Sequence, residues 1–272
     1  MEDNRTITRR IISGSLSGAS VIAIIFFAPN WLFSLVVTAL VGFGLHEFFE
    51  MAQRKGIFVY KYYGIIFGII ISISTYFRQG AAIQEIEPFL IVIISLFIFI
   101  LQFTRKDNSE ALAGISTTLL GILYIAWFFS YLIRVKFLPN GANLVMFLIL
   151  VTKFGDIGAY VTGSLFGKHS LIPRISPKKS KEGLVGAIAA SVAVAFISRS
   201  LVGFSNFHIA VLGLFLGILA QVGDLSESLI KRDCKTKDSG RLIPGMGGIL
   251  DLVDSLLFTA PIFYFYVSML LL

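Results

Sequence analysis

The sequence predicts an all-α polytopic integral membrane protein with about nine transmembrane helices, and three observations support this prediction. Of its 272 residues, 56% are hydrophobic and only 14% are charged, with a mean hydropathy of +0.84, which excludes an ordinary water-soluble domain. Apolar runs of about 18 residues or more, enough to cross a hydrocarbon core of roughly 30 Å, recur along the chain. A single cysteine, Cys234, excludes an internal disulfide, so helix packing must hold the fold.

Hydropathy and the polar stretches between apolar runs predict the spans in chain order. The first follows the basic residues Arg5, Arg9 and Arg10 and is interpreted as a retained helix, because no small-residue cleavage site precedes Asn30. Each later span begins where a short polar or Gly/Pro-containing stretch gives way to the next apolar run. The predicted spans are 11–28, 31–52, 57–77, 88–103, 111–134, 143–165, 184–202, 208–229 and 249–272.

The distribution of basic residues predicts the orientation of these spans. With a cytoplasmic N-terminus, seventeen of the 23 basic residues fall in inside segments, and the outside loops contain only Arg78, Arg134, Lys136 and Arg199. The positive-inside rule therefore favours a cytoplasmic N-terminus. The net charge of +7 is attributed to topology and to contact with anionic membrane lipids. No nucleic-acid partner is expected, because no nucleic-acid-binding motif accompanies the charge.

The two halves of the chain differ in their polar residues. Residues 1–140 form almost purely apolar spans, and we interpret them as structural helices with possible dimer contacts; Glu47 is interpreted as a polar group near the inner end of the second span. Residues 141–272 are predicted to be the catalytic region, with two long basic cytoplasmic loops. The ionisable residues in the spans of this half are Lys153, Asp156, Asp224, Glu227, Asp251 and Asp254.

Three of these acids are predicted to form a metal site. Asp224 lies near the cytoplasmic end of the eighth predicted span, and Asp251 and Asp254 lie three residues apart in the first turns of the ninth. Ionisable groups in a membrane are costly unless paired, hydrated or bound to a cation. Because hard carboxylate oxygens suit Mg²⁺ better than zinc, we expect these acids to hold Mg²⁺. Helix capping is the alternative, and it could explain Asp251 by itself.

The two basic loops are predicted to lie on the same face as the acids. Together with small residues at helix starts they offer charges and backbone N–H groups to phosphates. Acid-bound Mg²⁺ beside cationic loops is typical of phosphoryl or nucleotidyl transfer; a solvated basic loop is the alternative for either loop alone. The first loop contains Lys168, His169 and Ser176–Glu182, and the second contains Lys231, Arg232, Lys235, Lys237, Asp238 and Arg241.

Two sequence stretches resemble a known family. The run Gly223–Arg232, continued by Lys237–Gly240 and Pro244–Gly248 to Asp251 and Asp254, resembles the signature of the bacterial phosphatidate cytidylyltransferases, also called CDP-diacylglycerol synthases. Upstream, Asp156–Tyr160, Gly163, Phe166–Lys168 and Ser176–Ser180 resemble the family's second motif. The resemblance is strong over residues 153–260.

The resemblance implies a multi-pass enzyme of the bacterial cytoplasmic membrane, with its active site facing the cytoplasm. It would join CTP to phosphatidic acid in phospholipid biosynthesis, by in-line attack of the lipid phosphate on the α-phosphorus of CTP, and release pyrophosphate. The family also implies Mg²⁺, a possible second, monovalent cation such as K⁺, and a homodimer. Carried over, Asp224, Asp251 and Asp254 would be catalytic and bind the metal, with Lys237 and Asp238 also catalytic. The substrate-binding residues would be Asp156, Ser176, Lys178, Lys179, Ser180, Ser226, Lys231, Arg232, Gly247 and Gly248.

Four positions depart from the family pattern. Met246 stands where histidine is expected and Leu252 where arginine is expected, while Lys153 and Lys181 stand where an aromatic residue is common. The alternatives are therefore a cytidylyltransferase for another lipid phosphate, or a catalytically impaired relative. A membrane transporter is a more remote alternative, because the acids gather at one face and in one half of the chain rather than near the bilayer midplane of paired repeats.

Overall fold

The structure, a computed structural model, describes residues 18–78, 86–240 and 247–271, and this part of the chain is almost entirely helical. The segment Ile122–Trp127 is π-helical, and Arg199–Leu201 forms a short 3-10 turn. The helices are α1 (Gly18–Phe27), α2 (Asn30–Arg54), α3 (Lys61–Phe77), α4 (Ile86–Phe103), α5 (Ala111–Phe137), α6 (Gly141–Phe166), α7 (Lys181–Ile197), α8 (Asn206–Asp233) and α9 (Ile249–Leu271).

These helices occupy the segments predicted to be spans, so the helical fold class is confirmed. Six of the described helices, α2, α4, α5, α6, α8 and α9, are long and apolar enough to cross a membrane, and α1 and α3 are shorter apolar helices. Residues 11–17 of the first predicted span, the basic residues before them and residue 272 lie outside the described residues. The apolar helices indicate a multi-pass membrane protein; nine crossings and the orientation of the N-terminus stay predictions.

A small hairpin is the exception to the all-α prediction. The first basic loop folds into two antiparallel strands, β1 (Ser170–Ile172) and β2 (Ser176–Ser180), in which Ser170 pairs with Ser180. Tertiary contact stabilises it, since the guanidinium of Arg232 on α8 donates a hydrogen bond to the Ile175 carbonyl at 3.2 Å. No alternation of apolar and polar residues marks these short strands, so the sequence predicted only a loop.

Small residues allow α6 and α7 to pack closely. A Cβ atom added to Gly158 would lie 2.4 Å from the Ala190 Cβ, and one added to Gly186 would lie 1.9 Å from the Thr162 hydroxyl. Replacing either glycine would force these helices apart. Close approach through small residues is typical of helix pairs in membranes, and here it fixes the part of α6 that carries Asp156.

Two basic residues assigned to outside loops are in fact buried at the end of α5. Arg134 forms an ion pair with Glu87 of α4, and Lys136 donates a hydrogen bond to the carbonyl of Ile25 in α1. Placing them in a loop was wrong, because α5 continues to Phe137 and carries both side chains into the protein. Long basic side chains can be buried where an acid or a helix-end carbonyl receives them.

Candidate active site

Three carboxylates from α8 and α9 form a compact group. Asp224 and Glu227 lie three residues apart and therefore share one face of α8, and Asp254 faces them from α9. One ligand oxygen from each residue lies within 4.8 Å of the others. Like charges at this spacing repel one another, so the arrangement favours a bound cation.

A glycine allows the two helices to approach at this level. A Cβ atom added to Gly223 would lie 2.5 Å from the carbonyl oxygen of Asp254 and 3.1 Å from the Cα of Ser255. The absence of a side chain at Gly223 therefore lets α9 approach α8 closely beside Asp224. The dipeptide Gly223-Asp224 thus provides both a carboxylate and the space for its partner.

Glu227 is the most deeply buried of the three acids, with 0% of its surface exposed. It forms an ion pair with Lys231 one turn later on α8, at 2.6 Å. Among the described residues, neither of its carboxylate oxygens has a hydrogen-bond partner of good geometry. The ion pair involves only Oε2, and a buried oxygen without a partner, such as Oε1, is costly. A metal ion bound by this carboxylate would compensate for the missing donor.

Asp251 lies outside this group of three and is held by its own set of donors. Its Oδ1 accepts a hydrogen bond from Lys231 Nζ at 2.6 Å. Its Oδ2 accepts from the backbone N–H groups of Ser239 (3.0 Å) and Gly248 (2.8 Å) and from the Ser239 hydroxyl at 2.8 Å. Lys231 therefore connects Asp251 with Glu227, and the metal-binding role of Asp251 stays a prediction.

Asp156 on α6 lies on another side of the site. Its Oδ1 accepts from the Gln221 side-chain amide at 3.3 Å, and its Oδ2 accepts from the Ser255 hydroxyl at 3.0 Å. Lys153 Nζ lies 3.4 Å from Asp156 Oδ2, and it donates to the Ser255 hydroxyl at 2.8 Å and to the Leu252 carbonyl at 2.9 Å. Lys153 and Asp156, three residues apart on α6, therefore form an ion pair.

A cavity of about 370 Å³ lies beside these acids. Asp156 and Asp224 face it from α6 and α8, and Lys178, Lys179 and Ser180 face it from β2. Lys179 Nζ lies 2.6 Å from Asp224 Oδ2. The cavity lining thus combines carboxylates from two helices with ammonium groups from the hairpin, a combination that suits a metal-bound polyphosphate.

The hairpin is joined to α7 at the cavity wall. The Ser180 hydroxyl accepts a hydrogen bond from the Gly183 N–H at 3.0 Å and so caps α7. Glu182 accepts from the backbone N–H groups of Lys168 and His169, each at 3.2 Å, and contacts the His169 Nδ1 at 2.6 Å. These hydrogen bonds, that with the His169 side chain first, lower the pKa of Glu182 to about 2. Both contacts fix the strand that carries Lys179.

The remaining predicted site residues have varied positions. The Ser226 hydroxyl donates to the Val222 carbonyl within α8 at 2.8 Å. Arg232 supports the hairpin through Ile175. Ser176 is the first residue of β2. Lys237 and Asp238 are exposed. Gly247 adopts φ +94°, a conformation that favours glycine. Arg241 and Met246 lie outside the described residues.

Glu227 was among the ionisable residues found in the predicted spans, but no role was predicted for it. The signal was present, because Glu227 follows Asp224 by three residues and so shares its helix face. Ser255 and Gln221, which bind Asp156, were also missed. Polar uncharged residues in helices give no comparable signal, since their partners are determined by how the helices pack.

Comparison with known proteins identifies the class. Residues 8–270 match the cytidylyltransferase family, so the chain belongs to this family of CTP-dependent nucleotidyltransferases. Its similar relatives include proteins named phosphatidate cytidylyltransferase from Synechocystis sp. (32% identical, covering 97% of each chain), Staphylococcus saprophyticus (32%, covering 89% of this chain and 94% of the relative) and Bacillus subtilis (29%, covering 96% and 97%). The family resemblance drawn from the motifs is therefore confirmed.

Proposed function

We propose that this protein is a phosphatidate cytidylyltransferase, which converts CTP and phosphatidic acid to CDP-diacylglycerol and pyrophosphate. The observation that carries the proposal is the group formed by Asp224, Glu227 and Asp254, beside a cavity that Lys178 and Lys179 also line. Relatives of that name align with nearly the whole chain, which supports phosphatidic acid as the acceptor.

The reaction needs positioning more than a side-chain nucleophile. A phosphate monoester is already nucleophilic near neutral pH, so its oxygen can attack the α-phosphorus of CTP in line while the bond from that phosphorus to the pyrophosphate oxygen breaks. Lys178 and Lys179 would bind the triphosphate and stabilise the departing pyrophosphate. Mg²⁺ held by Asp224, Glu227 and Asp254 would neutralise charge on the reacting phosphates.

The other predicted roles remain part of the proposal. Asp251 and Lys231 would act next to the metal site, since Lys231 contacts both Asp251 and Glu227. Asp156 would face the substrate in the cavity. The residues still predicted to bind substrate or assist catalysis are Ser176, Ser180, Ser226, Arg232, Lys237, Asp238, Gly247 and Gly248.

The proposal includes a place in the cell and an assembly. We expect nine crossings of a bacterial cytoplasmic membrane with the N-terminus and the site on the cytoplasmic side, so that CTP enters from water while acyl chains stay in lipid. Tyr160 and Leu184 line the cavity and would lie near the lipid glycerol. A homodimer with contacts from residues 1–140, and a second cation such as K⁺, are the remaining expectations.

An assay of membranes containing the full chain tests the proposal. With labelled CTP, phosphatidic acid and Mg²⁺, we expect a CDP-lipid product that disappears when Mg²⁺ is chelated and when Asp224 is replaced by Asn. Absence of product for the wild type, or full turnover by Asp224→Asn, would contradict it. A panel of other lipid phosphates, including an isoprenoid one, distinguishes phosphatidic acid from a different acceptor.

A further inference from the structure

Glu47 on α2 binds the start of α9, about 200 residues later in the sequence. Its side chain is buried, with 2% exposed. Its Oε1 accepts a hydrogen bond from the Ile249 N–H at 3.0 Å, and its Oε2 accepts one from the Leu250 N–H at 2.9 Å. These N–H groups belong to the first turn of α9 and have no partner within the helix. Glu47 therefore does from another helix what an N-cap residue does locally.

A hydroxyl group extends this contact toward the metal site. The Ser239 Oγ lies 3.1 Å from Glu47 Oε2 and 2.8 Å from Asp251 Oδ2, so the hydroxyl lies between the two carboxylates. Asp251 Oδ1 in turn binds Lys231, and Lys231 binds Glu227. A continuous chain of polar contacts therefore connects Glu47 with one of the three clustered acids.

Two glycines of the family-like signature leave room for the Glu47 carboxylate. A Cβ atom added to Gly240 would lie 2.2 Å from Glu47 Oε1, and one added to Gly248 would lie 2.4 Å from Glu47 Oε2. Both distances are far shorter than any real contact, so a side chain at either position would displace the carboxylate. The glycines and the glutamate therefore form one structural unit at the start of α9.

We propose that Glu47 is a positioning residue of the transferase, which sets the depth and rotation of α9 and thereby the place of Asp254. Among the described residues Glu47 is not part of the cavity wall, and it acts through the helix start and through Ser239 and Asp251. This inference rests on the proposed function. It assigns a role in catalysis to the N-terminal half, whose helices are otherwise structural.

The test compares Glu47→Gln with Glu50→Gln in the purified full-length protein. Glutamine presents only one acceptor oxygen, so at least one of the three donors loses its partner. We expect kcat per folded molecule to fall about tenfold and the Mg²⁺ concentration for half-maximal rate to rise, with a smaller change in the KM for CTP. Glu50, whose side chain is 39% exposed and pairs with Arg54 at 3.1 Å, is the matched control and should keep wild-type values.

Hydrogen–deuterium exchange of residues 247–255 provides a measurement that does not depend on turnover. Exchange should be faster in Glu47→Gln than in the wild type and unchanged in Glu50→Gln. The inference would be overturned if Glu47→Gln kept the kcat, the Mg²⁺ dependence and the exchange rate of the wild type. An inactive wild-type protein would instead count against the proposed function. If Glu47→Gln yields no folded protein, Ser239→Ala removes only the bridging hydroxyl; an unchanged Mg²⁺ dependence in that variant would overturn the connection to the acids.

Discussion

Before residue 140 the buried acid Glu87 meets a basic side chain, whereas after it three carboxylates lie close to one another. Glu87 pairs with Arg134, and the Tyr60 hydroxyl donates to Gln102 at 2.7 Å. In the second half, Asp224, Glu227 and Asp254 share one small volume. In the first arrangement the acid is balanced by a base. In the second, Lys179 and Lys231 balance only part of the negative charge, which favours a cation from solution. Buried charge is thus paired in the first half and clustered in the second, where the proposed function assigns it to metal binding.

The largest expected effect is at Glu227. We expect Glu227→Gln to lower kcat more than about 100-fold, because a carboxylate of the proposed metal site would become a neutral amide. Its thermal unfolding temperature in detergent should stay the same or rise, since one charge leaves a group of like charges and Lys231 keeps Asp251 as a partner. Rates from labelled CTP and melting curves on the same preparation check both expectations.

Asp233→Asn is the matched control for Glu227→Gln. Asp233 lies at the end of the same helix, is exposed and pairs with Lys55 at 2.5 Å, so its replacement should leave kcat unchanged. Wild-type turnover by Glu227→Gln would remove Glu227 from the metal site and leave Asp224 and Asp254 to act alone.

The opposite pattern is expected at Glu87. Glu87→Gln leaves Arg134 buried without its counter-charge, which should lower the free energy of unfolding by about 3 kcal/mol. The rate per folded molecule should remain near that of the wild type, because the pair lies outside the site. Denaturation in detergent with parallel rate measurements separates the two quantities.

A double replacement sharpens the interpretation of Glu87. Glu87→Leu combined with Arg134→Met removes both buried charges. Only Arg78, which is partly exposed and lies 3.7 Å from Glu87, loses a partner, so the double variant should recover much of the stability lost in Glu87→Gln. If the double variant were as unstable as the single one, the loss would come from packing rather than from an isolated charge.

The sequence predicted the order and position of the helices and a group of Asp224, Asp251 and Asp254. Asp224 and Asp254 do meet, whereas Asp251 lies outside the group and binds Lys231. Apolar runs have a length that reports helices directly, and a short connection returns α9 to the end of α8. The rotation of α9 about its axis could not be predicted. Asp251 and Asp254 lie near the same face of α9, and the packing of this helix against Gly223 determines which of the two acids approaches Asp224. The contact of Glu47 with α9 has no local sequence signal at all.

Replacing Gly223 tests how closely α8 and α9 must approach each other for activity. We expect Gly223→Ala to lower kcat about tenfold, since its Cβ would displace the backbone of Asp254 and overpacking of this kind costs about 1 to 3 kcal/mol. Gly42→Ala on α2 is the control, because its Cβ would meet only the Ile69 side chain at an ordinary 3.6 Å. Equal activity of both alanine variants in the CTP assay would show that the approach is not critical.

The smallest effect is expected at Glu182, an acid of the second half whose charge is satisfied locally, as acids are in the first half. The hydrogen bonds to its carboxylate lower its pKa from the ordinary 4.5 to about 2. A depressed pKa in the folded state adds stability that is fully present above about pH 4.5 and is lost as the pH falls toward 2. Glu182 therefore stays ionised throughout the range in which the enzyme would be assayed.

We expect Glu182→Gln to loosen the hairpin and change kcat by less than about threefold. The shape of the pH–rate profile between about pH 6 and about pH 9 should not change. A shifted inflection in that profile would mean that Glu182 titrates with the clustered acids, and the contrast between locally satisfied and clustered carboxylates would then fail within the second half itself.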